Sequence, residues 1–398
     1  MTRKEFLKDL AALGLGASFF GTLFSSCGVQ DATLPDIEAN FDGKILIIGA
    51  GAAGITAGYI LQRQGIDFQI IEAAPIFGGR VKKLNKGFAD FPIDLGGEWI
   101  HTDPSILATL IDDPTINASI DLVNYRPKTF RVWKDNKLKK RNIVSNFYRE
   151  YKFKSTTWYD FFEQYMIPNI QDRMVYNSPV DLIDYSGDKV LVRDTNGNNY
   201  EADKVLVTVP VKIIQDGHID FQPALPPAKV DAFNSIDFPP ILKAFMKFSE
   251  RFYPDMLIMD GLFIQDYLFY DAAFGKEAQS NVLGLFVIGD AARDYTDLAT
   301  REAIANRIIQ RLDEVFDGKA SRYLEDIVVQ DWTKEPFVQG SYSHFGDDYE
   351  STIETLTSPV SDKLYFAGEA MDVEGDTSTV HGASRSAYQA LSKMLRKA

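Results

Sequence analysis

The sequence predicts an α/β protein of two domains, on three observations. The chain has 398 residues, which is enough to form more than one hydrophobic core. Lys44–Ile48 ends in four aliphatic residues, as is typical of a buried parallel strand. It enters a glycine-rich turn, a helical stretch that stops near Gly65 and a second strand, Asp67–Ile71. A β–α–β unit that opens on such a turn indicates a Rossmann-like dinucleotide-binding domain.

The first 27 residues have the composition of an export signal. A basic start is followed by the uncharged, largely apolar stretch 11–24, which is shorter than the about 20 residues that span a bilayer. Residues 2–8 resemble the bacterial twin-arginine motif, with Lys4 in place of the second arginine. Residues 24–27 resemble a lipobox, which predicts lipidation of Cys27. The alternative is an amphipathic N-terminal helix with a buried thiol.

Residues 28–41 are polar and without periodicity, and we expect them to tether the domains to a membrane. The expected location is the periplasmic side or the cell surface, with the lipid on Cys27 as the one membrane contact.

The composition limits the partners and the chemistry. A formal charge of −14 argues against nucleic acid, since a phosphate-binding surface needs a basic patch. Cys27 is the only cysteine, so the later domains have no disulfide, cysteine-ligated metal or thiol nucleophile. The four histidines lack the spacing of metal ligands, and we predict no metal site.

The glycine-rich turn, Gly49–Gly54, has the GxGxxG spacing of a dinucleotide site. Gly49 makes the tight turn, Gly51 lets a pyrophosphate approach the backbone, and Gly54 lets the helix pack on the strand. Glu72 ends the second strand and is expected to accept the ribose hydroxyls, which disfavours a 2′-phosphate and therefore NADP. We include Ala53, at the start of the helix, among the predicted cofactor contacts.

Later motifs decide which dinucleotide is bound. Gly78–Val81 reads GGRV and Asp94–His101 reads DLGGEWIH. From here the chain resembles the FAD-dependent amine oxidases: monoamine oxidases, polyamine oxidases and flavin histone demethylases. The resemblance continues through the tryptophan and GSYS segments of 332–343 and the FAGE sequence of 366–369 to STVHGA at 378–383. It implies a two-domain FAD-binding fold of the glutathione-reductase type, with an α+β substrate domain built on a mixed sheet.

The resemblance assigns the cofactor contacts residue by residue. It implies Arg80 on the FAD pyrophosphate, a role that suits a bidentate, permanently charged guanidinium. It also implies that the final helix points its N-terminus at the flavin, where backbone amides and the helix dipole stabilise negative charge. Absence of the family's flavin-linked cysteine implies noncovalent FAD. The other implied contacts are Gly79, Gly97, Glu98, Trp99, Val180 (through its backbone, in a strand pair with 204–210 near the adenine), Trp332, Gly368, Glu369, Thr379 and Val380.

The strand after Pro239–Pro240 carries Lys243, for which we predict a specific catalytic role. With period 2, Lys243 shares a face with Ile241, Phe245 and Lys247, opposite a purely apolar face. The resemblance implies that Lys243 holds a water against flavin N5 and lowers the barrier to flavin reoxidation. The alternative is a half-exposed strand with solvated lysines, the usual fate of lysine.

Four further residues are implied to form the substrate site. Tyr342 matches one wall of an aromatic cage for the amine, and Thr379 takes the second cage position, which leaves more room for a bulky or secondary amine. Trp332 matches a tryptophan beside the flavin and the cage. His101 matches a histidine that orients or deprotonates the amine. For each aromatic residue the alternative is core packing, and for His101 it is a surface position.

We predict the domain bounds as follows. The FAD-binding domain comprises 42–100, 172–238 and 357–398, and the substrate domain comprises 101–171 and 239–356. Only about 80 residues separate Trp99 from the strand at Val180, so the helical part of the substrate domain is expected to be shortened and the cavity more open.

The function that the resemblance implies is oxidation of the C–N bond of a polyamine or another primary or secondary amine. A hydride passes to the flavin, and reoxidation by oxygen gives hydrogen peroxide, or a membrane quinone is the acceptor. No second glycine-rich fingerprint is present, which disfavours a reductase fed by NAD(P)H. Two alternatives stay open: another flavin oxidoreductase on the same scaffold (a desaturase, an amino-acid oxidase or a quinone-linked dehydrogenase), and a flavoprotein without catalysis.

Overall fold

The computed structural model describes residues 34–35, 37, 41–84, 87–113, 120–140, 150–259, 267–346 and 348–396. The predicted export signal, Cys27 and most of the predicted tether lie outside the described residues. Among the helices within these ranges, none has both the length and the apolar character needed to cross a membrane.

The described residues contain eighteen strands, with helices between many of them. In chain order they are β1 (Lys44–Ile48), β2 (Asp67–Ile71), β3 (Leu122–Tyr125), β4 (Phe130–Lys134), β5 (Lys137–Lys140), β6 (Glu150–Phe153), β7 (Met174–Val175), β8 (Val180–Asp184), β9 (Val190–Asp194), β10 (Asn199–Ala202), β11 (Lys204–Val207), β12 (Asp220–Gln222), β13 (Ile241–Phe248), β14 (Met256–Met259), β15 (Tyr267–Asp271), β16 (Asn281–Ile288), β17 (Leu324–Asp331) and β18 (Leu364–Phe366).

The helices are mostly short. In chain order they are α1 (Ala52–Arg63), α2 (Ile106–Ile111), α3 (Trp158–Tyr165), α4 (Ile167–Ile170), α5 (Val211–Gln215), α6 (Pro227–Asn234), α7 (Asp290–Thr296), α8 (Arg301–Phe316), α9 (Lys319–Tyr323), α10 (Tyr349–Thr357) and α11 (Val380–Met394), with 3₁₀ turns at Gln171–Arg173 and Trp332–Lys334.

A five-stranded parallel sheet, in the order β18-β11-β1-β2-β7, forms the centre of the first domain. Because side chains alternate along a strand, β1 contributes to two cores. Ile45 and Ile47 pack with α1 and α11 on one face. Leu46 and Ile48 pack on the other face against a four-stranded sheet in the order β10-β9-β8-β12. The predicted Rossmann-like unit is therefore present, with β1 and β2 at the predicted bounds.

A seven-stranded mixed sheet, in the order β17-β13-β16-β15-β14-β4-β5, forms the second domain. β4 is parallel to β14 and the other neighbours are antiparallel. Helices α7 and α8 cover one face, and the loop residues 88–99 pack on the other. The predicted α/β fold of two domains with a mixed sheet is confirmed. The residue bounds of the domains stay a prediction.

The strand predicted around Lys243 is β13, and it lies between β16 and β17. Its apolar face packs under α8, as the period-2 pattern predicts. The opposite face is not half-exposed, however: Ile241, Lys243 and Phe245 are all buried. Of that face only Lys247 is partly exposed, with its Nζ 3.4 Å from a Glu325 carboxylate oxygen.

One predicted strand pair is wrong. Val180 begins β8 in the four-stranded sheet, whereas 204–207 form β11 in the parallel sheet. The two segments therefore belong to different sheets. β8 pairs with β9 and β12 and does not pair with β11.

Candidate functional site

Two glycines in the turn between β1 and α1 differ in the space around them: Gly54 leaves no room for a Cβ, and Gly51 leaves ample room. A Cβ on Gly54 would lie 1.9 Å from the carbonyl oxygen of Gly49, so the helix approaches the strand as closely as predicted. A Cβ on Gly51, the N-terminal cap of α1, would have no atom within 4 Å. Ala53 is buried in the first turn of the helix. The chain thus leaves open space in front of the amides that begin α1.

Glu72 closes this turn from the neighbouring strand. Its carboxylate accepts hydrogen bonds from the backbone N–H of Ala50 at 2.5 Å and of Ala74 at 2.7 Å. Burial raises the pKa of Glu72 against the effect of these donors. Each carboxylate oxygen has a further lone pair, so the group retains capacity to accept a ribose hydroxyl.

The glycine turn fits a bound dinucleotide. The first turn of α1 carries no acidic side chain, and its cap residue has no side chain to occupy the helix amides. An uncapped helix N-terminus with open space in front of it suits a pyrophosphate. Gly79, with a positive φ of 56°, brings the 78–80 turn against Gly51, since its Cβ would lie 3.5 Å from the Gly51 Cα.

Arg80 connects this turn to the segments from the end of the chain. Its Nη1 donates to a Glu369 carboxylate oxygen at 2.8 Å and to the carbonyl of Ser341 at 2.9 Å. Glu369 also accepts from the Ser343 hydroxyl at 2.6 Å. Beside it, the N–H of Gly368 donates to the Ser386 hydroxyl at 2.9 Å. The structure therefore brings Arg80, Gly368 and Glu369 together, and their predicted contacts with FAD stay predictions.

The segment 94–98 is contacted by two of the predicted catalytic residues, Lys243 and Trp332. Lys243 reaches it from β13, donating to the carbonyls of Asp94 at 2.9 Å and Gly96 at 3.0 Å. Trp332 donates its indole N–H to the carbonyl of Leu95 at 3.1 Å. A Cβ on Gly97 would lie 2.5 Å from the Val380 side chain, at the start of α11.

Glu98 is the centre of a buried charge cluster behind this segment. One carboxylate oxygen lies 2.6 Å from Lys152 Nζ, and the other accepts from Lys243 Nζ at 2.8 Å and from the Tyr270 hydroxyl at 2.5 Å. The side chains of both lysines are only 3 % exposed, so these contacts are shielded from water. Burial acts to raise the pKa of Glu98, but the two lysines lower it to about 2. The Glu98 carboxylate is thus bound by Lys152 of β6, Lys243 of β13 and Tyr270 of β15.

Lys243 lies on the predicted strand and is buried, and its predicted role beside a flavin stays a prediction. A lysine ammonium has three N–H donors, and these are directed to Asp94, Gly96 and Glu98. The alternative of a solvated lysine is wrong, because the residue is buried.

His101 pairs with a residue that the sequence reasoning missed. Its Nδ1 lies 2.6 Å from a carboxylate oxygen of Glu150, on β6. Burial acts to lower the pKa of His101, and the Glu150 charge outweighs this, so the pKa lies above the ordinary value. About a third of the His101 side chain remains exposed, at 34 %. The imidazole is therefore oriented by a carboxylate and still accessible.

Tyr342 and Thr379, the predicted cage positions, have different surroundings. Tyr342 packs beside Trp332 and makes an edge contact with His344, with ring centroids 5.2 Å apart. Burial and the nearby Glu369 raise the pKa of the Tyr342 hydroxyl. Thr379 caps α11: its hydroxyl accepts from the Gly382 N–H at 2.9 Å and donates to the Asp376 carbonyl. This capping role was not predicted.

Strand β6 supplies the functional residues that the sequence reasoning missed. Ile100 and Tyr151 exchange both backbone hydrogen bonds, at 2.9 and 3.1 Å. This pairing brings Lys152 to Glu98 and Glu150 to His101. The available signal was the alternation of charged and aromatic residues in Glu150–Phe153, but its partner segment lies about 50 residues earlier in the sequence. Within the described ranges, no three His, Cys, Asp or Glu side chains form a metal site.

The sequence matches a family model. The model for flavin containing amine oxidoreductases covers residues 52–163 and 159–390. The human lysine-specific histone demethylase 2 is 26 % identical over 466 aligned positions, covering 93 % of this chain and 55 % of that protein. Mouse lysine-specific histone demethylase 1B is 26 % identical and covers 88 % and 52 %. The chain thus spans about half the length of the curated relatives it matches.

The fold resembles those of solved structures. Putrescine oxidase bound to putrescine superposes with a TM-score of 0.74 at 15 % identity, covering 90 % of this chain and 100 % of that one. Cyclohexylamine oxidase from Brevibacterium oxydans gives 0.73 at 15 % identity, covering 89 % and 99 %. At this identity the likeness concerns the fold.

Proposed function

The chain belongs to the flavin-containing amine oxidoreductase family, and we propose that it oxidises the C–N bond of an amine with FAD as cofactor and oxygen as electron acceptor. The family makes it a flavin-dependent oxidoreductase. The amine, the acceptor and the noncovalent attachment of FAD belong to the proposal. A bound flavin would supply the two-electron acceptor for oxidation of the amine, and its reoxidation by oxygen would give hydrogen peroxide.

The observation that carries the proposal is the convergence of residues on segment 94–98. Lys243 and Trp332 bind three of its carbonyl groups, and Val380 packs against Gly97. These residues come from β13, from the turn after β17 and from the start of α11, which are distant in the sequence. A buried ammonium next to this segment favours the development of negative charge there.

The chain's own residues support an amine as substrate. We expect His101, which Glu150 orients, to accept a proton from an ammonium group or to orient the neutral amine. The ring of Tyr342 offers one aromatic wall, and Thr379 offers a small second wall. The names of the relatives concern amines as well: lysine side chains, putrescine and cyclohexylamine. We propose a primary or secondary amine, with polyamines in the first set to test.

We further propose that the protein is exported and anchored through a lipid on Cys27. The basic start and the apolar stretch 11–24 support export, and the sequence before Cys27 supports lipidation. In that location a membrane quinone is the alternative electron acceptor.

The test is an anaerobic titration of the purified, FAD-loaded protein. The flavin absorbance is recorded while polyamines, aromatic amines and amino acids are added. We expect one class of amine to bleach the flavin, and air to restore the colour with release of hydrogen peroxide. A flavin that no amine bleaches contradicts amine oxidation, and recovery by a quinone but not by air contradicts oxygen as the acceptor.

A matched pair of variants tests the role of the buried lysine. Lys243→Met removes the ammonium bound to segment 94–98, and we expect it to slow reoxidation by at least tenfold, about 1.4 kcal/mol. Lys247→Met removes a partly exposed lysine from the same strand, and we expect no change. Equal reoxidation rates in stopped-flow traces would exclude a role for Lys243.

A further inference from the structure

The buried cluster around Glu98 contains more positive than negative charge. Lys152 and Lys243 are both within 2.8 Å of the single Glu98 carboxylate. Two other ionisable groups lie nearby. Burial and the Glu98 charge raise the pKa of Asp94 well above its ordinary value, and burial lowers the pKa of Lys276 to about 8. Asp94 and Lys276 carry opposite charges and cancel when both are ionised, and the contacts of Lys152 and Lys243 with the one Glu98 carboxylate then leave one positive charge.

Without Lys152 this balance would change. Glu98 binds Lys243 directly, so the pair alone has no net charge. A neutral pair stabilises negative charge on a neighbouring group far less than a free ammonium does. Lys152 binds the other oxygen of the same carboxylate and so restores the excess of one positive charge.

Aromatic rings surround the Lys152 ammonium and stabilise its positive charge. Its Nζ lies 4.8 Å from the ring centroid of Trp99, 5.4 Å from Tyr125 and 4.9 Å from Tyr270. Ammonium groups are attracted to the faces of aromatic rings, more so when they are shielded from water. Three aromatic rings therefore surround the Lys152 ammonium and stabilise its charge, whereas water does this for a lysine on the surface.

We propose that Lys152 is a positioning residue that compensates the charge of Glu98, so that the Lys243 ammonium presents a net positive charge to segment 94–98 and to a flavin beside it. This inference rests on the proposed function for the location of the flavin. Its consequence is a bound flavin that is easier to reduce, because the reduced form carries negative charge that the excess positive charge stabilises.

The test is the two-electron midpoint potential of FAD bound to four variants, measured at equilibrium with a reference dye. We expect Lys152→Gln to lower the equilibrium constant for reduction about tenfold, which is about 30 mV for a two-electron couple. Glu98→Gln is expected to raise the potential. The double variant Glu98→Gln with Lys152→Gln leaves the charge of Lys243 alone, and we expect its potential to lie near that of the wild type. Lys247→Gln, on the same strand as Lys243, is the control and should leave the potential unchanged.

The double variant separates charge from packing. If Lys152 acts through packing alone, the double variant will have a potential as low as that of Lys152→Gln, or lower, and the inference is overturned. A wild-type potential for Lys152→Gln overturns it as well. Failure of the proposed function has a different signature: the potentials still follow the charge order, but no amine reduces the flavin.

Discussion

At the scale of single residues, His101 and Glu150 form a pair whose protonation can be followed directly. The Glu150 carboxylate raises the pKa of His101 above its ordinary value of about 6.5. A raised folded-state pKa means that the pair stabilises the fold fully below pH 6.5. That contribution is lost as the pH rises through the folded pKa.

We expect Glu150→Gln to lower the pKa of His101 below its ordinary value, because the lowering effect of burial then exceeds the smaller raising effect of the Asp376 charge. The measurement is an NMR titration of the imidazole signals, which is practical because the chain has four histidines. His101→Gln identifies the signal. An unchanged titration in Glu150→Gln would mean that the ion pair is absent in solution.

The residues of the site could be predicted from the sequence where a local motif fixes them, and not elsewhere. Gly51, Gly54 and Glu72 stand in a turn whose backbone geometry demands them, and the structure places them as expected. Lys152 and Glu150 lie in a short strand of alternating charged and aromatic residues, which is typical of a solvated surface. Only the long-range pairing of β6 with segment 98–101 gives them partners.

At the scale of elements, the N-terminus of α11 depends on one hydroxyl. Thr379 accepts from the Gly382 N–H, the arrangement of an N-terminal cap. We expect Thr379→Ala to lower the free energy of unfolding by about 1 kcal/mol. Thr379→Ser keeps the hydroxyl and should remain within a few tenths of the wild type. Urea unfolding of the three proteins checks this, and equal losses in both variants would argue against the cap.

The elements themselves were predicted best where burial dictates a pattern. β1, β2 and β13 match their sequence signals because each is a short run rich in apolar residues that lies between two other strands of its sheet. The error over Val180 arose at the same scale. Neither β8 nor β11 carries a sequence signal for its partner strand, and partner choice depends on the stacking of whole sheets.

At the scale of the whole molecule, binding of FAD at the glycine turn is expected to stabilise the folded protein, because the ligand binds only the folded state. A ligand at 100 times its dissociation constant stabilises the folded state by about 2.7 kcal/mol. Gly51 has an extended backbone and open space around it, so Gly51→Val should leave the stability of the FAD-free protein within about 1 kcal/mol of the wild type. The valine would occupy the space in front of the helix amides, and we expect the stabilisation by FAD to be lost.

Gly54→Ala is the matched control for this prediction. Its Cβ would meet the Gly49 carbonyl at 1.9 Å, so the strand and helix must move apart. We expect the FAD-free protein to lose about 1–3 kcal/mol. Thermal unfolding with and without FAD distinguishes the two effects. A Gly51→Val protein that FAD still stabilises fully would show that the cofactor lies elsewhere.

The exposed strand β5 has a consequence for how copies of the molecule meet. Of the described strands, β5 ends the seven-stranded sheet, with β4 as its one partner. An edge with unpaired backbone groups can template pairing with another chain. Lys137, Lys139 and Lys140 are all exposed along β5. Two such edges brought together would repel each other, so this border of an otherwise acidic protein resists the growth of sheets from one molecule to the next.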